Sequence, residues 1–261
     1  MSGDSLVEVT DVVKRFGSVT AVDHVSLQIP RGQTFGLVGE SGSGKSTLSG
    51  LILALDKPTS GSIRFDGVDP ASLNSQRLRA LRRRMQLVMQ DPVGALNRRK
   101  SIGQIIGVPL SVQRWKTPSD RRRRVDDLLE LVGLGPAYTR RYPHELSGGQ
   151  CQRVGIARAL AVNPEFIVLD EPVSAVDVAM QAQILNLLRD LQAEFGLTYL
   201  FVSHDLAVVR YMASTVAVMQ SGQIVETGTR EEVFGKPAAD YTRTLIAASP
   251  ANLTARMKGL S

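Results

Sequence analysis

The alternation of apolar and polar residues divides the chain into predicted strands and helices. Residues 6–13 and 22–29 alternate well enough to predict two strands of a half-exposed sheet, joined by a turn at 14–17. A short apolar run at 33–38 predicts a strand that leads into a glycine-rich segment. Behind that segment, a helix is predicted from apolar residues at helical spacing, which are Leu48, Leu51, Ile52 and Leu55.

Beyond this region the pattern continues to alternate between strands and helices. Apolar runs predict strands at 62–65, 85–89, 166–169, 197–202, 214–219 and 223–227. Helices are predicted at 75–84, 119–132, 178–195 and 230–248. From about 93 to 160 the chain is mainly helical, with turns at prolines and glycines, which indicates an inserted helical subdomain. The pattern as a whole is typical of an α/β fold.

Residues 39–47 carry the strongest chemical signal in the chain. They are Gly39, Glu40, Ser41, Gly42, Ser43, Gly44, Lys45, Ser46 and Thr47, and they fit the phosphate-binding pattern G-x-x-x-x-G-K-[ST]. Glycines allow the tight turn that directs successive N–H groups at an anion. Lys45 is expected to reach the β- and γ-phosphates, and the Ser46 hydroxyl to bind Mg²⁺. The pattern predicts a site for a nucleoside triphosphate.

A second helix N-terminus is predicted where Ser147 precedes Gly148, Gly149 and Gln150. Ser147 is a plausible N-cap, and the start of a helix attracts anions. Two such anion sites with only one phosphate loop are unusual for a monomer. They make sense if the second site binds a nucleotide held by another subunit.

Three further positions are candidates for chemistry. The apolar run 166–169 ends in Asp170 and Glu171, which predicts a buried parallel strand whose end faces a site. Asp170 is then expected to hold Mg²⁺ and Glu171 to deprotonate water, although Glu171 could instead be a helix cap or surface acid. His204, at another strand end, is either a γ-phosphate sensor or structural. Phe16 either stacks on a planar ring or, as its residue type favours, lies in the core.

Composition adds limits to this picture. The chain is 43% hydrophobic and 21% charged, as is usual for a globular protein, and its net charge of +6 permits an anionic partner without requiring one. Its arginine runs lack interleaved aromatics, which favours solvated faces over a nucleic-acid site. The single cysteine, Cys151, excludes an internal disulfide framework and is expected to fill space in a helix. No apolar run is long enough to span a membrane, and residues 1–5 lack a signal-peptide pattern, so we expect a cytoplasmic chain.

Over residues 5–248 the chain resembles the ATP-binding subunit of an ABC transporter. The resemblance rests on motifs in the family's order: residues 39–47, Gln90 at a strand end, LSGGQ at 146–150, FIVLDE at 166–171, the segment 174–177, and His204. It implies an α/β P-loop NTPase core with a mainly parallel sheet, an N-terminal antiparallel β part and an inserted helical subdomain. The nucleotide-binding domain would span 1–250, with its core at about 1–90 and 161–235, the helical subdomain at about 91–160, and a tail at 251–261.

The resemblance also implies roles for single residues. Phe16 would stack on adenine, Glu171 would be the general base, and His204 would contact the γ-phosphate. Gln90 would join Mg²⁺ or the attacking water to a transmembrane partner. Asp177 and residues 147–150 would close on the ATP of a partner subunit. ATP and Mg²⁺ are the cofactors implied.

Several segments are similar to dipeptide, oligopeptide and nickel importers, and to the second of their two ATPase subunits. These segments are 89–92 with 95–97, 171–175, 181–188, 199–206 and 241–245. Arg98 and Val176 depart mildly from the family's pattern. The chain lacks the cysteine-rich element that some subunits use for an iron–sulfur cluster, so no cluster is predicted.

The resemblance implies a peripheral protein on the cytoplasmic face of the inner membrane. Its expected partners are two permease subunits, a second and related ATPase chain, and an extracytoplasmic solute-binding protein, with no nucleic acid. Two alternatives remain at this point: an ABC ATPase of another transport system, such as an exporter, or a non-transport ABC ATPase that acts on nucleic acid or ribosomes.

Overall fold

The computed structural model describes residues 5–248, which form two compact units. One unit contains residues 5–82 and 195–248 of the described chain, and the other contains residues 83–194. The predicted tail at 251–261 lies outside the described residues. The domain boundaries drawn from the sequence stay predictions.

The elements follow the order that the apolar pattern predicts, with the addition of a helix at Leu206–Met212 that it did not predict. The strands are β1 (Ser5–Phe16), β2 (Val19–Pro30), β3 (Thr34–Val38), β4 (Ser60–Phe65), β5 (Met85–Val88), β6 (Phe166–Asp170), β7 (Thr198–Ser203), β8 (Thr215–Gln220) and β9 (Gln223–Thr229). The helices are α1 (Lys45–Ile52), α2 (Ser75–Arg84), α3 (Ile102–Val112), α4 (Pro118–Leu131), α5 (Gly148–Leu160), α6 (Val178–Phe195), α7 (Leu206–Met212), α8 (Arg230–Gly235) and α9 (Asp240–Ala248).

In the first unit, β1 lies between β2 and β4 and pairs antiparallel with both. The predicted alternation along β1 is interrupted by register shifts, one of which lies between Val9 and Val12. Asp11 lies in this interval with a φ of 50°. The two neighbouring valines that follow this shift, Val12 and Val13, are both buried, so burial does not alternate there.

The turn predicted at 14–17 is wrong, because β1 and β2 both extend beyond their predicted ends. β1 pairs as far as Phe16, which lies opposite Val19. Only Gly17 and Ser18 remain to reverse the chain, and Gly17 has a φ of 58°, a conformation that glycine adopts without steric cost.

The same unit contains parallel strands that support the glycine-rich loop. β3 lies between β7 and β8 and is parallel to both, while β9 pairs antiparallel with β8. Every residue of β3 is buried, and α7 packs so closely against it that a Cβ on Gly36 would lie 2.5 Å from Val209 Cγ1. The loop after β3 therefore starts from a strand that is fixed on both edges and one face.

In the second unit, β5 and β6 form a parallel pair. An ion pair joins the residues that precede them, with Arg84 Nε 2.5 Å from Glu165 Oε1 and Arg84 Nη2 2.7 Å from Glu165 Oε2. Helices α3, α4 and α5 pack on one another through buried side chains, which include Ile102, Ile106, Leu128, Leu129, Val132 and Val154.

Two helix predictions need correction. Leu55 does not belong to the buried face of α1, because the helix ends at Ile52 and Leu55 is 60% exposed. The helix predicted over 230–248 is two helices, α8 and α9, and Pro237 lies between them, where it cannot continue a helix. Within residues 5–248, no helix combines the length and apolar character that crossing a bilayer requires.

Candidate functional site

The phosphate loop, residues 39–44, connects the end of β3 to the start of α1. Its backbone passes so close to its neighbours that two of its glycines cannot be replaced without rearrangement. A Cβ on Gly39 would lie 2.1 Å from Met219 O, and one on Gly44 would lie 2.3 Å from Ala21 O. The glycines that the motif predicts are therefore required by packing against β8 and β2.

The Lys45 side chain folds back into this loop. Its Nζ donates hydrogen bonds to Gly39 O at 2.8 Å, Glu40 O at 2.7 Å and Ser43 Oγ at 3.2 Å, and the residue is 6% exposed. The ammonium group thus lies beside the N-terminus of α1, where the helix dipole adds positive potential. Both features favour the binding of an anion at this loop.

The rest of the loop motif is accessible. Glu40, Ser41 and Ser46 are exposed and Thr47 is half-buried. The backbone N–H of Glu40 donates to the Tyr241 hydroxyl of α9 at 3.3 Å. Sequence reasoning missed this contact, because 201 residues separate its two partners.

Phe16 and His204 also belong to the first unit. The core interpretation of Phe16 is wrong: its ring is 52% exposed, and Lys14 Nζ lies 4.8 Å from the ring centroid. His204 is exposed directly after β7. The next residue, Asp205, accepts a hydrogen bond from the N–H of Ala207 at 2.8 Å and so caps α7. The adenine and γ-phosphate roles stay predictions.

In the second unit, two predicted residues meet. Gln90 follows β5 and Glu171 follows β6, and Gln90 Nε2 donates to Glu171 Oε2 at 2.8 Å. Parallel strands end at the same edge of a sheet, so residues from distant parts of the chain come together there. Glu171 is half-buried and Asp170 beside it is also half-buried.

The backbone at Glu171 has an unusual conformation. Its φ is 48°, in the left-handed region that non-glycine residues rarely adopt. Ser174 stabilises the turn that follows, since its N–H and Oγ both donate to Glu171 O, at 3.2 and 3.0 Å. Such conformations occur where the surroundings determine them, often in functional sites.

The segment predicted to contact a partner's nucleotide begins α5. The Ser147 N-cap is confirmed: Ser147 Oγ accepts from the N–H of Gln150 at 3.3 Å. The Gln150 side chain completes a capping box, because its Oε1 accepts from the N–H of Ser147 at 3.0 Å. Its Nε2 donates to the Tyr138 hydroxyl at 3.0 Å. Gln150 therefore helps to shape the helix N-terminus.

We expect Ser147→Ala to destabilise the chain by about 1 kcal/mol, because the substitution removes the cap acceptor. Urea unfolding measures the difference. Ser18→Ala, in the exposed β1–β2 turn, is the matched control and should change little. Equal stability of the two variants would show that the cap contributes nothing.

Cys151 follows this segment and is completely buried, as the space-filling interpretation predicts. Its Sγ lies 3.6 Å from Pro143 O, and burial raises the pKa of the thiol. The reactive species is the thiolate, so burial and a raised pKa both suppress reaction.

We therefore expect iodoacetamide at neutral pH to leave Cys151 unmodified in the folded chain. The same reagent should modify it completely in denaturant. Intact-mass spectrometry reads both results, and rapid modification of the folded chain would contradict the assignment.

Asp177 precedes α6, and its Oδ1 accepts from the N–H of Met180 at 2.9 Å. Its carboxylate thus caps its own helix, which the motif alone did not indicate. The residue is exposed. Its predicted role toward a partner's nucleotide stays a prediction.

The predicted Mg²⁺ ligands supply the donor types that this ion prefers. They are the Ser46 hydroxyl, an Asp170 carboxylate and the Gln90 amide oxygen. Because Gln90 Nε2 is the atom that donates to Glu171, its Oε1 is the atom left to accept or coordinate. The residues fit the ion by chemistry.

Comparison with known proteins identifies relatives over nearly the whole chain. The family model described as ABC transporter matches residues 22–174. The oligopeptide transport ATP-binding protein AppF of Bacillus subtilis is 46% identical over 95% of this chain and 79% of its own length. A putative peptide import ATP-binding protein of Brucella ovis is 48% identical over 96% of this chain and 80% of its own length.

Solved structures of ATP-binding cassettes are also similar to this chain. The dimeric ATP-binding cassette MJ0796, in a post-hydrolysis state bound to ADP and Pi, has a TM-score of 0.78 and 32% identity, covering 86% of this chain and 98% of its own. The structure of cbiO1 from Clostridium perfringens, part of the ABC transporter complex cbiONQ, has a TM-score of 0.81 and 29% identity, covering 97% and 99%. The predicted fold class, an ABC-type P-loop NTPase with parallel and antiparallel sheets, is confirmed. The chain belongs to the ABC transporter family, among its ATP-binding proteins.

Proposed function

We propose that this chain hydrolyses ATP and thereby energises an ABC importer for peptides. The family supports the ATPase activity, and relatives described as oligopeptide transport and peptide import proteins support the cargo class. Those descriptions favour peptides over the nickel-type cargo that the sequence also allowed. The observation that carries the catalytic part is the Gln90–Glu171 hydrogen bond, because a carboxylate held at the end of a buried strand suits a general base.

The phosphate loop would bind the phosphates of ATP. Its N–H groups and the N-terminus of α1 attract the anion, and the Lys45 ammonium would exchange its carbonyl and hydroxyl partners for phosphate oxygens. Phe16, whose ring is exposed, would stack on adenine. Ser46, Gln90 and Asp170 would hold Mg²⁺, which when bound supplies positive charge to the phosphate oxygens.

Glu171 would act as the base in an in-line displacement. Its carboxylate accepts a proton from water as the water oxygen bonds to the γ-phosphorus and the bond to the bridging oxygen breaks, giving ADP and phosphate. His204 would contact the γ-phosphate. Positioning and charge neutralisation account for most of the rate.

The transport role requires further subunits. Residues 147–150 and Asp177 would close on ATP bound to a second, related ATPase chain, and the dimeric state of the MJ0796 cassette supports such pairing. Two permease subunits and a solute-binding protein would complete an importer, with this chain on the cytoplasmic face of the membrane.

Affinity purification of the chain from its native membrane tests the transport role. We expect two permease-like proteins and a second ATPase to co-purify, and the assembled complex to hydrolyse ATP faster when a peptide-loaded binding protein is added. Recovery with ribosomes or nucleic acid, and without a membrane protein, would refute the transport role and leave the ATPase site untouched.

A further inference from the structure

The first turns of α6 carry two glutamines that the proposed mechanism does not use. Gln181 and Gln183 open the segment 181–188, whose sequence resembles peptide and nickel importers. Gln181 is half-buried and Gln183 is exposed. Both side chains make hydrogen bonds to other parts of the second unit, which sets them apart from solvated surface residues.

Gln181 contacts the loop that contains the proposed base. We call residues 171–177 the base loop. Gln181 Nε2 donates to Val173 O at 3.0 Å and to Val176 O at 3.4 Å. One amide group thus satisfies two carbonyls of the base loop, those of Val173 and Val176.

The ends of the base loop are held by other bonds. At its start, Ser174 donates twice to Glu171 O. At its end, Asp177 caps α6 through the N–H of Met180, and Asp177 O accepts from the N–H of Gln181 at 2.8 Å. The Gln181 side chain therefore supplies the link between the middle of the loop and the rigid helix.

The conformation of Glu171 makes this link important for the position of the Glu171 carboxylate. A φ of 48° for a non-glycine residue is unfavourable and persists only where neighbouring contacts enforce it. The next residues, Pro172 and Val173, are buried, and Val173 O is the carbonyl that Gln181 binds more closely. Loss of the Gln181 amide would remove a contact to the loop two residues from the carboxylate.

The same turn of α6 also contacts α5, the helix that begins at Gly148. Gln183 Oε1 accepts from Arg153 Nη2 at 3.0 Å, and Arg153 Nη1 donates to Val132 O at 2.7 Å. Met180 packs on Gly149, where an added Cβ would lie 2.4 Å from Met180 Cε. The helix turn that holds the base loop is thus itself held against the helix of the LSGGQ segment.

We propose that Gln181 is a positioning residue for Glu171: its amide fixes the base loop to α6, and through α6 to α5. The inference rests on the proposed function in one respect, the assignment of Glu171 as the base. Gln181 has no proposed contact with ATP. Its contribution should therefore appear in the rate of the chemical step and not in nucleotide binding.

Gln181→Met tests the proposal, because methionine keeps the length and volume of glutamine and removes the donor. In the assembled complex with the second ATPase chain and the permease subunits, we expect kcat for ATP hydrolysis to fall about tenfold or more, since small misplacements of a catalytic group have effects of this size. KM for ATP should stay within about twofold of the wild-type value, because the phosphate loop is unaltered. Gln181→Glu, which places acceptor oxygens against the two carbonyls, should lower kcat at least as much.

The controls separate positioning from folding. Glu194→Gln, an exposed position near the other end of α6, should leave kcat, KM and the melting temperature unchanged. If Gln181→Met precipitates, Gln181→Asn takes its place, since its amide is one methylene too short to reach both carbonyls. An unchanged kcat, or equal losses in kcat and ATP affinity, overturns the proposal.

Glu171→Gln in the same assay distinguishes the two possible failures. If Glu171→Gln is inactive and the Gln181 variants match wild type, the positioning role is wrong and the proposed function stands. If Glu171→Gln keeps wild-type turnover, the base assignment fails and the positioning role fails with it.

Discussion

Glu171→Gln should bind ATP with wild-type affinity and hydrolyse it about 10²- to 10⁴-fold more slowly, the usual contribution of a general base. Glutamine has nearly the same shape as glutamate, and its amide oxygen can still accept the hydrogen bond that Gln90 Nε2 donates to Glu171 Oε2. The side chain should therefore keep its position and lose only its basicity. Bound ATP should also persist, so the dimer closed on ATP should become long-lived.

Steady-state ATPase assays, equilibrium binding of ATP and size-exclusion chromatography with ATP measure the three effects. Glu194→Gln is the matched control, because it removes one negative charge from an exposed position of the same unit. Turnover within tenfold of wild type would assign the base to a different group.

Lys45→Ala should instead lose most nucleotide binding at concentrations that just saturate the wild type. The Lys45 ammonium is the charged donor inside the phosphate loop, and charge-assisted hydrogen bonds contribute about 1.5–3 kcal/mol each, so affinity should fall at least tenfold. Alanine would also leave Gly39 O, Glu40 O and Ser43 Oγ without this donor, which should loosen the loop.

Titration with a fluorescent ATP analogue measures the affinity, and thermal unfolding measures the loosening. Lys236→Ala, at the exposed C-terminal end of α8, is the control for removal of a positive charge. Wild-type affinity of Lys45→Ala would show that the backbone N–H groups suffice for binding.

The fold was predictable from the sequence as far as local periodicity carries information. The apolar runs mark the buried strands because parallel strands are covered on both faces, and β3 and β6 are of this kind. Boundaries were less predictable, since they depend on contacts with other segments. The β1–β2 hairpin continues to Phe16 because the two strands pair, and no property of residues 14–17 alone reveals this.

In the candidate site, too, features that depend on neighbouring residues were predictable and contacts between distant residues were not. Motif spacing indicated the phosphate loop and the Ser147 cap, because both depend on residues within a few positions of each other. The contacts of Tyr241 with Glu40 and of Gln90 with Glu171 join residues 201 and 81 positions apart. The hydrophobicity of Phe16 led to a wrong prediction of burial. An aromatic residue at an exposed hairpin tip cannot be distinguished by its type from one in the core.

Because Cys151 is buried, an introduced cysteine can be labelled selectively in this chain for distance measurements. With its single cysteine shielded inside the fold, a thiol introduced at an exposed position would be the sole accessible one in the described chain. Ala175→Cys, in the base loop, could carry a spin label or cross-link without prior removal of native cysteines. A label there, paired with one on the second ATPase chain, would then report the separation of the two chains during the ATP cycle.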